Sequence, residues 1–334
     1  MIARTERKPR IAIVGARRVR QGLGGFMACQ LAALGAEVVA VLGSSPESAA
    51  RAVADLGAHH DLQVRGYARL QELLAVETID ALVIASPHET HLEYLAAALA
   101  AGKHVLCEKP LVWGTASPAV APEVVMRVEE LELQFRDRGL LLWENVQWPY
   151  TLDSFLELYP GAYSAAQPVT RFSMLLCPSS SGPQMLVDSF SHVASMLCAL
   201  DAPRAPVLEA IKYRKGPEPV HMLDLEAVYP GTRANIVVTC RLLRVDAPPR
   251  PASYAINGHA AYRRIEEPGY RMNLADTAEG AGRSVPLADP MTALLRDFVA
   301  SLTRVLAGRP VVVDPWISAR LELLQQVVEM YPRE

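Results

Sequence analysis

The first apolar run, residues 10–15 (RIAIVG), stops at a glycine and feeds a helical pattern over residues 26–34. A short continuous apolar run bounded by a turn residue predicts a strand buried on both faces, and the following helix makes it a β-turn-α unit. The same texture recurs at 37–42, 81–85, 104–107 and 140–143, and more weakly at 63–67. Buried strands alternating with helices predict a parallel sheet covered on both sides. Ser86-Pro87-His88-Glu89 predicts a helix start: serine as cap, proline in the first position, glutamate closing a capping box. That helix runs to Gly102, while the Pro/Ala/Ser-rich piece 114–122 reads as a surface loop before a charged helix ending near Gly139.

After Tyr150 the pattern changes. Strand signals at 169–177, 207–214, 220–229 and 233–243 follow one another with few helices between them, and alternation is visible in 234–240 (ANIVVTC). This predicts a mainly antiparallel sheet with one covered face. Helical patterns at 291–306 and 315–330 close the chain. The expected fold class is therefore α/β. An N-terminal doubly wound Rossmann domain (1–149) precedes a C-terminal α/β domain (150–334) built on an open sheet, and the terminal helices are expected to pack back on the first domain.

With 334 residues at 51% hydrophobic content the chain can bury sizeable cores. Its net charge of −3, with basic residues dispersed, argues against nucleic acid as a partner. The most apolar runs, such as 94–101, fall short of the roughly 20 residues that span a bilayer, so no membrane partner is expected. The first ten residues, MIARTERKPR, lack the apolar stretch of a secretory signal. Five cysteines, an odd number without a C-x-x-C pair, fit neither a disulfide framework nor a zinc site and suggest the cytoplasm. His88 and His91 without a carboxylate or cysteine cluster make no metal site.

The stretch VGARRVRQGLGGF carries Gly15, Gly22 and Gly24 with Arg17, Arg18 and Arg20 between them. Glycines at a strand-to-helix turn let a backbone approach a pyrophosphate, although the spacing here is longer than G-x-G-x-x-G and an Arg-rich turn is the competing reading. At the end of the second strand, where an acid would bind the adenosine ribose of NAD, the chain reads Gly43-Ser44-Ser45-Pro46, with no acid before Glu47. A missing carboxylate, nearby guanidinium groups and the hydroxyls of Ser44 or Ser45 favour a 2′-phosphate. NADP(H) is the expected cofactor, with NAD the alternative.

The segment 85–111, ASPHETHLEYLAAALAAGKHVLCEKPL, resembles the signature of the Gfo/Idh/MocA family of nicotinamide-dependent oxidoreductases, and Gly308-Arg309-Pro310 is similar to the way family members close. The resemblance would extend over almost the whole chain. It implies that Lys109 hydrogen-bonds the reacting substrate oxygen, that Glu108 lies with it at the cofactor, and that Ser86, Pro87, His88 and His91 belong to the cofactor-side loop. A cation beside a hydroxyl helps it lose its proton as hydride leaves.

In the segment 185–193, Leu186, Phe190 and Val193, continued by Leu197 and Leu200, form a helical apolar stripe. Asp188 and His192, four apart, share another face, where spacing alone allows either a cleft or a solvated surface. The family's D-x-x-x-H pattern is similar, and implies that His192 moves the proton while Asp188 places it or the substrate. Gln147 and Trp148 follow the last strand of the first domain and are candidate substrate contacts; interdomain packing is the other reading for Trp148. No nucleophile elbow is present.

These residues suggest hydride transfer between nicotinamide and a small polar substrate, most simply a sugar- or cyclitol-like hydroxyl or carbonyl. Reduction of a C=N or C=C bond, or a non-catalytic NADP-binding sensor or scaffold, are the alternatives. The exposed face of the open sheet suggests a homodimer or homotetramer.

Overall fold

The computed structural model describes residues 7–16, 23–114, 122–201, 203, 205–266 and 270–332. These divide into two compact units. The first holds the chain up to Gly114, Pro122–Asn145 and Met291–Ile317; the second holds Val146–Pro290 and the chain from Ser318.

The first unit is a parallel six-stranded sheet of β1 (Arg10–Val14), β2 (Glu37–Leu42), β3 (Arg65–Tyr67), β4 (Ala81–Ile84), β5 (His104–Cys107) and β6 (Leu142–Glu144). Their order is β3-β2-β1-β4-β5-β6. Ile11, Ile13, Leu82, Ile84 and Leu106 are wholly buried, as continuous apolar strands require when helices cover both faces. Those helices include α1 (Gly24–Ala33), α2 (Pro46–His60), α3 (Leu70–Val76), α4 (His91–Ala100) and α5 (Pro122–Asp137). The order reverses between β1 and β4, and at such a switch point the carboxyl ends of the strands open a crevice for ligands.

Two Ser-Pro helix starts behave differently. Ser45 caps α2: its Oγ accepts the Ser48 N–H at 3.2 Å, with Pro46 in the first position. The capping box expected at Ser86 does not form. Thr90 Oγ1 donates to the Pro87 carbonyl at 2.8 Å, so the Ser86 hydroxyl, 2.7 Å away, donates to Thr90. A 3-10 turn, His88–Thr90, comes first, and the α-helix starts only at His91.

The second unit is built on an eight-stranded sheet. Its strands are β7 (Arg171–Leu176), β8 (Glu209–Lys215), β9 (Met222–Pro230), β10 (Asn235–Leu243), β11 (Ser253–Ile256), β12 (His259–Glu266), β13 (Arg271–Ala275) and β14 (Ser284–Leu287). The order is β14-β13-β12-β11-β7-β10-β9-β8, with β7 and β10 parallel and the other neighbours antiparallel. Strands β11 to β14 lie beyond those expected from the hydrophobic pattern. One face is apolar, with Phe172, Met174, Val238, Cys240 and Tyr254 buried, while Arg214 and Arg241 on the other face share Asp224. This unit also contains α6 (Leu152–Leu158) and α7 (Gln184–Leu200), the latter packed against β10. Two further helices follow. α8 (Pro290–Leu306) lies in the first unit, where Phe298 meets Trp143 edge-on at 5.9 Å. α9 (Ile317–Glu329) lies in the second, where Gln326 Oε1 accepts the Leu208 N–H at 2.8 Å. Among the described residues no helix is long and apolar enough to cross a membrane.

Candidate active site

The carboxyl ends of β1, β2, β4 and β5 carry the expected cofactor residues. Gly15 leaves β1 with φ +84°, and a Cβ there would lie 2.8 Å from the Ala85 carbonyl oxygen. At Gly24, in the first turn of α1, a Cβ would lie 2.4 Å from the Gly15 oxygen. Only hydrogen at Gly15 lets the turn pass the end of β4, and only hydrogen at Gly24 lets the helix start close on the turn. Arg17, Arg18 and Gly22 lie outside the described residues. Among the described residues the first turn of α1 has no acidic residue and no side-chain cap, which suits a helix start that meets an anion.

Beyond β2, Ser44 is exposed, whereas Ser45 is committed to α2. Its hydroxyl also hydrogen-bonds Glu47, lowering that carboxyl below the usual range. Of the two serines expected at a 2′-phosphate, Ser44 is thus the open one.

The Glu108-Lys109-Pro110 segment leaves β5 with a cis Lys109–Pro110 peptide and is tied down on several sides. Asn145 Nδ2 donates to Glu108 Oε1. Burial pushes the Glu108 carboxyl above its usual range, against the opposing pull of Asn145 and Lys109. Glu144, buried at 4% exposure, accepts the Leu111 N–H at 3.0 Å. The Asn145 amide oxygen is buried without a partner among the described residues, so a donor on a bound ligand would satisfy it. Glu144 and Asn145 follow the strand expected at 140–143, ahead of the candidates Gln147 and Trp148; their signal is two polar residues where a buried strand meets the crevice.

His91 departs from its expected role. Its ring is wholly buried, with Nδ1 3.1 Å from the Pro110 and Leu111 carbonyl oxygens and Nε2 2.9 Å from that of Ser86. Every polar edge of the imidazole is turned to the backbone, so it braces the Ser86 loop against the Lys109 loop and does not present itself to a cofactor. Burial lowers its pKa, although the three carbonyls act in the opposite sense. His88 keeps part of its surface open, with Nδ1 3.2 Å from the Trp113 carbonyl oxygen. Ser86 and Pro87 stay at the mouth of β4.

In the second unit, Leu186, Phe190, Val193, Leu197 and Leu200 are all buried on α7, as their spacing predicts. Asp188 and His192 are half-buried one turn apart, and Gln184, a turn earlier, donates from Nε2 to Asp188 Oδ1 at 2.8 Å. The His192 ring meets Trp148 edge-on at 6.3 Å. Trp148, 4% exposed, is also edge-on to Tyr254 at 6.1 Å and lies under the Arg263 guanidinium at 5.6 Å. Gln147 is half-buried just before it. The second unit's cavity of about 610 Å³ contains none of these residues except Tyr254; it lies over the open sheet face, lined by Lys212, Arg214, Asp224, Arg241 and Tyr262.

Residues 9–136 match the model of an oxidoreductase family with an NAD-binding Rossmann fold, GFO_IDH_MocA. An inositol 2-dehydrogenase of Pseudomonas syringae pv. syringae is 38% identical over 105 residues, which are 31% of this chain and 28% of that protein. A scyllo-inositol 2-dehydrogenase (NADP(+)), IolU, of Bacillus subtilis is 31% identical over 145 residues, 43% of this chain and 39% of that one. The chain therefore matches less than two-fifths of either relative's length. The solved structure of UDP-N-acetylglucosamine 3-dehydrogenase GnnA from Acidithiobacillus ferrooxidans superposes with a TM-score of 0.68, covering 97% of each chain at 19% identity. That likeness shows the fold of the whole chain, including the second sheet.

Proposed function

We propose that the chain is an NADP(H)-dependent oxidoreductase acting on a sugar- or cyclitol-like hydroxyl or carbonyl. The observation that carries this reading is the placing of Lys109 at the carboxyl end of β5. There its loop is held by Glu108 with Asn145, Leu111 with Glu144, and His91, beside a sheet order that reverses at β1 and β4. A functional lysine has to be held in position, and these bonds hold it. The inositol dehydrogenases among the relatives support the substrate class.

Gly15, Gly24 and the first N–H groups of α1 would hold the pyrophosphate, and Ser44 would reach a 2′-phosphate. Ser86, Pro87, His88 and Glu108 would line the nicotinamide end. Bound cofactor supplies the hydride donor or acceptor. Lys109 stabilises charge developing on the substrate oxygen, His192 takes up or returns its proton, and Asp188 orients His192 or the substrate. Trp148 shapes the substrate side next to His192, with Gln147 beside it.

The IolU relative carries NADP(+) in its name, and the absence of an acid between the end of β2 and Glu47 supports the same choice here. The described cysteines are all free, which supports a reducing compartment, the cytoplasm. The open sheet face supports assembly into a homodimer or homotetramer. The test is a screen of sugars, cyclitols and their keto forms, read as NADP reduction or NADPH oxidation. Turnover that Lys109→Met abolishes supports the reading, and no turnover across the panel overturns it.

A further inference from the structure

Arg263 stands where the sheet calls for an apolar residue. Through the strand register it shares a rung with Leu223, Leu242, Leu176, Ala252 and Leu274, on the face that the apolar side chains occupy. Burial draws its guanidinium below its ordinary pKa, and it keeps its charge at any working pH. Among the described residues no carboxylate lies within ion-pair distance of it, and Asp289 acts on it only from further away. Its Nη2 donates to the Arg250 carbonyl at 2.9 Å, while its Nε is buried without an acceptor.

Arg250, itself only half-buried, shares one part of this state: its Nε too is buried and without an acceptor among the described residues, as is the hydroxyl of Ser180 in the loop that leads from β7 into α7. The guanidinium groups of Arg250 and Arg263 both lie close enough to Cys177, at the end of β7, to oppose the burial that raises its thiol pKa. Arg263 and His192 touch the same indole, Trp148. A guanidinium charge withdrawn from water beside further buried donors that have no acceptor is costly unless an anion meets them. A guanidinium fork suits a carboxylate or a phosphate.

We propose that Arg263 and Arg250 bind an anionic substituent, a carboxylate or phosphate, on the polyhydroxylated substrate that His192 serves. The inference rests on the dehydrogenase reading and narrows its substrate class from neutral polyols to their acids and phosphate esters. Arg263 and Arg250 are then specificity-determining residues.

The test sets each neutral sugar or cyclitol beside its uronic acid and its monophosphate, with NADP(H), in wild type, Arg263→Gln and Arg250→Gln. The expected result is a kcat/KM at least about tenfold higher for one class of anion than for its neutral parent. Arg263→Gln should collapse that ratio, chiefly through KM. Preference for the acid or for the phosphate identifies the group. Neutral parents turned over as well as the anions would overturn the inference and leave the dehydrogenase reading standing. So would an Arg263→Gln loss equal for both classes, which would make Arg263 a positioning residue for Trp148. If no polyol of any charge is turned over, the dehydrogenase reading fails, and calorimetric titration of the same acids and phosphates decides for the site. Binding lost in Arg263→Gln upholds it, and no binding to wild type overturns it. Should Arg263→Gln not fold, the wild-type ratio and Arg250→Gln carry the test.

Discussion

His91 Nε2 lies 2.9 Å from the carbonyl oxygen of Ser86, while Nδ1 of the same ring faces the carbonyls of Pro110 and Leu111. One imidazole is thereby wedged between the end of β4 and the loop that carries Lys109, its single neutral N–H donating to one side or the other. His91→Ala would open a cavity and leave buried carbonyls without a donor, so it should destabilise the first unit by about 2–4 kcal/mol. Calorimetry should show its transition at lower temperature. An unchanged melting temperature would mean that the brace is dispensable.

Acid should weaken the fold through His91 and His104, both held below the ordinary 6.5 chiefly by burial. Such a group stays neutral in the folded protein while the unfolded chain takes up a proton. The stability is thus fully present above pH 6.5 and is lost as pH falls through the depressed folded values. Glu108, raised by burial, works the other way: its contribution is present below the ordinary 4.5 and is lost as pH rises through its higher folded value. Denaturant unfolding should therefore show lower stability at pH 5.5 than at 7.5, with a smaller drop in His104→Gln. Equal drops in both proteins would exclude His104 as a cause.

For the cofactor, NADPH should bind at least about tenfold more tightly than NADH, a difference of about 1.4 kcal/mol. Ser44→Asp should narrow or reverse that preference by setting a carboxylate against the 2′-phosphate. Titration calorimetry giving equal affinities in the wild type would remove the assignment.

For the chemistry, Lys109→Met should leave NADPH binding nearly intact and lower turnover by orders of magnitude, because its interaction is strongest in the transition state. His192→Ala should slow turnover by roughly 10²- to 10⁴-fold. Full turnover in Lys109→Met would put the reacting oxygen elsewhere.

In solution the protein should scatter light as a dimer or tetramer of a 36.4 kDa chain. A monomer mass over a wide concentration range would contradict the use of the open sheet face for assembly.

The parallel strands were legible because burial on both faces leaves uninterrupted apolar runs, as at Ile11 to Val14. Strands β11 to β14 were not, because charged and small residues break their alternation; yet Asn257-Gly258 is a hairpin signal, with φ of +50° and +88°. Asp188 and His192 could be paired from their spacing, but the same spacing fits a plain solvated face. His91 could be picked out but not its task, which depends on carbonyls nearly 20 residues away. Arg263 was invisible for a geometric reason. Arg263 and Arg264 are neighbours with opposite directions, and only the register says which one enters the apolar rung.

That dependence gives the Asn257-Gly258 turn a part in evolution. Asn257 fixes the hairpin from outside, its Oδ1 accepting the Thr170 N–H at 2.9 Å and its Nδ2 donating to the carbonyls of Ala162 and Pro168 at 3.1 Å. A single inserted residue there, if taken up by the strand and not by the turn, would reverse the faces of β12, turning Arg263 outward and Arg264 in. A lineage could in this way exchange one binding surface for another by changing loop length, with every residue of the strand retained.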